Sequence, residues 1–148
     1  MDNMLEHLLF LARRFKKSDV RYVAIILLME LGVPTQYTGF EYLVKAIVIY
    51  VQDPDLVMKK GLYNLIAEQY GGGIDMPQIE RAIRTVIESV WQKEESEAWD
   101  RYFATGKGCG KKKPANVEFI SRLARTIELW MGCCDTYEQK NLDEEVTV

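Results

Sequence analysis

An all-α fold, a single domain of six to seven helices, is what this chain predicts, and three observations predict it. Apolar residues recur at i, i+3, i+4 and i+7 through most of its length, the spacing of helices with one buried face. These periodic stretches are separated by glycine, proline and aspartate clusters, as at Gly32-Val33-Pro34, Asp53-Pro54-Asp55 and Gly71-Gly72-Gly73, which punctuate helices. No stretch alternates apolar and polar residues with the period of a strand, and no internal repeat is present. With 148 residues, 48% of them hydrophobic and 28% charged, the chain suffices for one core and is short for two.

The first helix, from Met4 to Phe15, places Leu5, Leu8, Leu9, Ala12 and Phe15 near one face and ends in Arg13, Arg14, Lys16 and Lys17, cations that suit a helix C-terminus. Ser18 or Asp19 caps the second, which runs from Val20 to Leu31 and stops at Gly32. Apolar on nearly every side, it reads as the central buried helix. The third starts at Thr38 or Gly39, buries Phe40, Leu43, Val44, Ile47 and Val51, and ends at Asp53-Pro54. Asp55 to Lys60 forms a short helix or the first turn of a longer one, with Gly61 as a break before Leu62 to Tyr70. Asp75 caps the next helix, with Pro77 in its first turn, where a missing amide hydrogen costs least. A short helix then packs Trp99 and Phe103, and Asn116 caps the last, whose buried face is Phe119, Ile120, Leu123, Ala124, Ile127 and Trp130 or Met131. The expected division is an N-terminal extension over 1–18, a helical body over 19–131, and an acidic mobile tail over 132–148 beyond Gly132.

Composition excludes several classes. The longest apolar run, Val23 to Met29, is far short of the roughly 20 residues of a membrane span. The start, Met1-Asp2-Asn3-Met4-Leu5-Glu6-His7, lacks the basic region and cleavage site of a signal peptide, so a cytoplasmic location is expected, with no membrane partner. Three cysteines, Cys109, Cys133 and Cys134, make a poor disulfide framework. With His7 they offer no metal-ligand spacing, and no nucleophile and base pair suggests itself. Neither a metal, a cofactor nor an enzyme activity is expected. A net charge of -3 argues against indiscriminate coating of nucleic acid. The cations nevertheless cluster, near the start and again at Lys107, Lys111, Lys112 and Lys113, whereas acids load the C-terminal end.

The most informative stretch runs from Met76 to Gln92. Ile79, Ala82, Ile83, Val86, Ile87 and Val90 form one continuous apolar stripe, and the opposite face carries Gln78, Arg81, Arg84, Thr85, Glu88 and Gln92, with Glu80 on the flank. An ordinary surface helix has this pattern, and so does a helix that reads DNA. What precedes it favours the second. A helix-turn-helix needs a small residue where its helices cross, a turn residue tolerating positive φ, and an aliphatic early in the second helix, and Ala67, Gly71 and Ile79 supply them over residues 62–92. The turn is longer than the tightest form by about two residues. The glycine- and lysine-rich stretch from Ala104 to Pro114 fails the spacing of a nucleotide-phosphate loop. It reads either as a solvated charge run or as a loop touching backbone phosphates without reading sequence.

Several motifs in one order resemble a known family, the C-terminal DNA-binding effector domain of the stage-zero sporulation response regulator. They are Glu30-Leu31-Gly32-Val33-Pro34; Gly39 with Tyr42-Leu43 and Ala46-Ile47; Leu62-Tyr63 with Ile66-Ala67; Ile79-Glu80-Arg81-Ala82-Ile83-Arg84 with Ile87-Glu88 and Trp91; and Lys113-Pro114 with Asn116, Glu118 and Phe119-Ile120. The resemblance implies a six-helix domain that places the Ile79 helix in the major groove of double-stranded DNA, pairs as a homodimer on tandem sites, and contacts an RNA polymerase sigma subunit. It implies that Glu80, Arg81 and Arg84 read and position bases, with Lys111, Lys112 and Lys113 on phosphate. Side-chain chemistry agrees, since arginine donates bidentately to guanine and glutamate accepts from cytosine. Gln78 and Thr85 complete the expected interface. About twenty residues precede the match, so the family's receiver domain has no visible seat and control is expected from elsewhere. The alternative is an interaction module that binds a sigma subunit or a full-length regulator without DNA, using the N-terminal amphipathic helix as its docking surface.

Overall fold

The computed structural model describes residues 4–91, 97–103 and 113–146. Among them are eight α-helices and no strand: α1 Met4–Arg14, α2 Val20–Glu30, α3 Thr38–Gln52, α4 Pro54–Lys60, α5 Leu62–Gln69, α6 Met76–Trp91, α7 Glu97–Phe103 and α8 Asn116–Val146, with a 3-10 turn over Lys17–Asp19. The all-α class is the one the periodicity predicts. The count exceeds six to seven because residues 54–69 form two helices rather than one. Gly61, at φ 87°, turns the chain between α4 and α5, a conformation open to glycine at little steric cost.

The central helix is α3, not α2. It packs on α2, α4, α5, α6 and α8 and buries Phe40, Tyr42, Leu43, Val44, Ala46 and Ile47. α2 buries Val20, Val23, Ala24, Leu27 and Leu28, yet its Tyr22 and Met29 are 62% and 56% exposed. An apolar composition on every side says what a helix could bury, whereas the number of neighbours decides what it does bury. α1 lies on α8 and buries Leu8, Leu11 and Ala12; Leu5, expected inside, is exposed. The face that the interaction-module reading offers to a partner is thus largely covered by the chain's own last helix.

Two ends differ from expectation. Asp19 precedes α2 but its side chain does not cap that helix; its carboxylate accepts from the Lys16 backbone N–H at 2.9 Å and closes the 3-10 turn instead. α8 does not stop at Gly132 but continues to Val146. A glycine inside a helix costs about 1 kcal/mol, and tertiary contacts offset it. Cys134 is buried with its Sγ 3.6 Å from the Phe15 carbonyl, and Lys17 Nζ pairs with Asp135 at 2.7 Å.

α7 is held by aromatic and polar contacts together. Trp99 meets Trp91, Phe103 and Phe119 with ring centroids 5.4, 4.9 and 5.9 Å apart, and its Nε1 donates to the Leu31 carbonyl at 3.2 Å. Beside it Glu30 gathers three partners: Arg101 Nη1 and Tyr102 Oη each donate to Oε2 at 2.7 Å, and His7 Nε2 lies 3.1 Å from Oε1. This cluster ties α1, α2 and α7 into one unit. Burial, reinforced by the Glu30 carboxylate, raises the Tyr102 pKa and keeps its hydroxyl a donor.

Candidate nucleic-acid interface

α5 and α6 are joined by a turn whose backbone explains its glycines. Gly71 and Gly72 have φ of 70° and 81°, which side chains with a Cβ rarely adopt. The Ala67 carbonyl accepts from the N–H groups of Tyr70 and Gly72 at 3.0 and 3.4 Å, so α5 ends by curling back on itself. Asp75 then starts α6 as expected. Its Oδ1 accepts from the Gln78 N–H at 2.9 Å, and Gln78 Oε1 accepts from the Asp75 N–H at 3.2 Å, a reciprocal capping box. Part of the role expected of Gln78 is therefore local, fixing where α6 begins.

The stripe is buried as the spacing requires. Ile79, Ile83, Val86, Ile87 and Val90 are in the core and Ala82 is half-buried. That leaves Gln78, Arg81, Arg84, Thr85 and Glu88 exposed, with Glu80 half-buried at the edge. The charges on this face are mostly paired. Arg84 Nη1 reaches both Glu80 oxygens, at 2.9 and 3.2 Å, an i,i+4 pair of the kind worth a few tenths of a kcal/mol on an exposed helix. Lys113 Nζ donates to Glu88 Oε1 at 2.8 Å; that bond and the lysine's charge hold the Glu88 carboxyl below the usual glutamate range. Arg81 makes no hydrogen bond or ion pair among the described residues.

An open cleft of about 570 Å³ brings Gln78, Arg81 and Thr85 together with Tyr37, Thr38 and Tyr42 from the start of α3. The expected site did not include the α3 residues, because the pairing spans some forty positions and leaves no local period. The signal that existed was Gly39. A Cβ there would stand 2.5 Å from both the Ala82 carbonyl oxygen and Val86 Cγ2, so glycine is what lets the end of α3 press against α6.

Of the three lysines expected at the interface, Lys111 and Lys112 lie outside the described residues, as does Gln92 on the outer face of the helix. Lys113 is half-buried and joined to α6 through Glu88. Asn116 proves to have a different partner from the expected one. Its Nδ2 donates to the Glu80 carbonyl at 3.1 Å and to Tyr63 Oη at 3.2 Å, so this side chain joins α8 to α5 and α6.

Among the described residues no group of three or more His, Cys, Asp or Glu side chains could hold a metal. No helix among them is long and apolar enough to cross a membrane. Burial raises the pKa of the Cys133 thiol and lifts that of Cys134 to about 11. Residues 24–127 match the family model described as "Sporulation initiation factor Spo0A C terminal".

Proposed function

The chain belongs to the family of sporulation initiation factor Spo0A C-terminal domains, the non-catalytic, DNA-binding effector domains of response regulators, and on that premise we propose that it regulates transcription by binding double-stranded DNA sequence-specifically through α6. The observation that carries this reading is the outward face of α6, where Arg81 stands exposed and uncommitted beside the Glu80–Arg84 pair. α6 enters the major groove with Arg81 donating to a guanine edge, and Arg84 and Glu80 exchange their mutual bond for base or phosphate contacts. Gln78 and Thr85 flank them. Tyr37 and Thr38, across the cleft, offer hydroxyl donors to the adjacent strand's phosphates. Lys113, with Lys111 and Lys112 before it, adds contacts to phosphate that carry no sequence information.

Because two of the three described cations on this face, Arg84 and Lys113, already have carboxylate partners, their attraction for a generic polyanion is muted. Specificity then rests on base contacts rather than on bulk charge. Contact with a sigma subunit, pairing of two copies on tandem sites and a cytoplasmic location complete the proposal by analogy with the family. The test is a binding selection followed by gel shifts of wild type and an Arg81→Ala, Arg84→Ala double variant. Each lost base contact lowers affinity for the selected site by about 1–3 kcal/mol. Equal, sequence-blind binding by both proteins overturns the proposal.

A further inference from the structure

The apolar stripe of α6 holds it in the fold but does not by itself set its rotation. Hydrophobic contact is non-directional: Ile79, Ile83, Val86, Ile87 and Val90 are buried and the approach at Gly39 fixes how near α3 comes, but neither is a bond aimed at one atom of α6. A helix that reads base edges needs a finer setting than that. A rotation of about 20° moves a group about 6 Å from the helix axis by about 2 Å, enough to break a hydrogen bond.

Resting on the DNA-reading role of α6, we propose that Asn116 is a positioning residue for sequence recognition. Its single carboxamide nitrogen donates to the backbone carbonyl of Glu80 on α6 and to the Tyr63 hydroxyl on α5. The two helices of the unit are thereby tied through one atom at the turn bearing Glu80, Arg81 and Arg84. The carrier of that amide is itself fixed. Pro114 is buried just before it, Phe119 and Ile120 are buried after it, and Lys113 grips Glu88 at 2.8 Å. The segment 113–116 therefore lies along α6 and is fastened at Glu80 and again at Glu88, eight positions further along the helix. A bond to one particular carbonyl has a direction, and it adds that direction to the steric fit of the stripe. Asn116 touches no base; it acts through the rotation of α6.

Asn116→Leu removes both bonds at nearly constant shape and charge, and Asn116→Gln keeps the donor on a longer arm. For each variant, affinity is measured for the selected duplex and for a scrambled duplex of equal length, over a salt series and beside thermal melts. Asn116→Leu is expected to lower the selected-to-scrambled ratio by about tenfold or more, with scrambled-duplex affinity and salt slope unchanged, and Asn116→Gln to fall in between. A ratio within about twofold of wild type, or an equal loss on both duplexes, overturns the positioning role. Hydrogen exchange of the residue 80–84 amides, measured without DNA, should quicken in Asn116→Leu, and unchanged exchange likewise overturns it. If wild type itself shows no sequence preference, the DNA reading fails and with it the recognition role, while the exchange experiment still decides whether the tether sets α6.

Discussion

Replacing Gly39 by alanine sets two effects of known size against each other. In a helix interior, Gly→Ala gains about 1 kcal/mol, and less in a first turn, where Gly39 stands as the second residue of α3. Against this, the new Cβ would meet the Ala82 carbonyl oxygen and Val86 Cγ2 at 2.5 Å each, when carbon contacts are comfortable only near 3.5–4.0 Å. The Val86 methyl belongs to a buried side chain and the Ala82 oxygen to helical backbone, so relief requires α3 and α6 to part by about 1 Å. Overpacking of this kind costs about 1–3 kcal/mol. The clash wins, and a net loss of about 1–2 kcal/mol lowers Tm by about 2–8 °C in a domain of this size. Gly132→Ala is the internal control, because its Cβ meets nothing within 4 Å and the propensity gain stands alone, raising stability by about 0.5–1 kcal/mol. Thermal and urea unfolding of both variants read the comparison. A Gly39→Ala protein as stable as wild type would refute the claim that this glycine is required by the α3–α6 crossing. Adding Val86→Ala should restore only part of the loss, since the backbone oxygen remains.

Glu30→Ala removes the shared acceptor of the Arg101 and Tyr102 bonds, and at this partly exposed site the loss should be about 1–3 kcal/mol, to be read from denaturant midpoints; a loss under about 0.5 kcal/mol contradicts the role given to the cluster. The Cys134 thiol, buried and with its pKa raised to about 11, should resist alkylation at neutral pH until the domain unfolds, and mass spectrometry after timed alkylation should find Cys133 modified before Cys134. Because Lys113 depresses the Glu88 pKa, the stabilisation from their pair is complete above the unfolded glutamate value and is lost as pH falls through the lower folded value. An NMR titration of the Glu88 carboxyl should accordingly find its midpoint below the ordinary glutamate value, and an equal or higher midpoint counts against the pair.

Features written into one helix were legible in the sequence. The stripe of α6, the cap at Asp75 and the glycines after Tyr70 depend on neighbours within a few positions, and the structure has each where the pattern places it. Features made by distant residues were not. The junction of His7, Glu30, Arg101 and Tyr102 draws on three helices, and no spacing connects them. Asn116 illustrates the difference sharply: an asparagine ahead of an apolar run has the local signature of a cap, yet its carboxamide answers to Glu80 and Tyr63. The same holds for α8, where Gly132 is a credible stop until the burial of Cys134 is known. Within the candidate site, the exposure of Arg81 and Arg84 followed from periodicity, whereas Tyr37 and Thr38 became neighbours only through the close approach at Gly39.

The packing of α1 on α8 also orders events during synthesis. α1 leaves the ribosome early, but the surface that covers Leu8, Leu11 and Ala12 is made about a hundred residues later, a delay on the order of ten seconds at usual elongation rates. Through that interval its leucines stay open to chaperones, and α2, α3 and α6 likewise lack the α8 side chains that complete their shared core. Docking of α1 is then a late, long-range step that waits on the synthesis of α8.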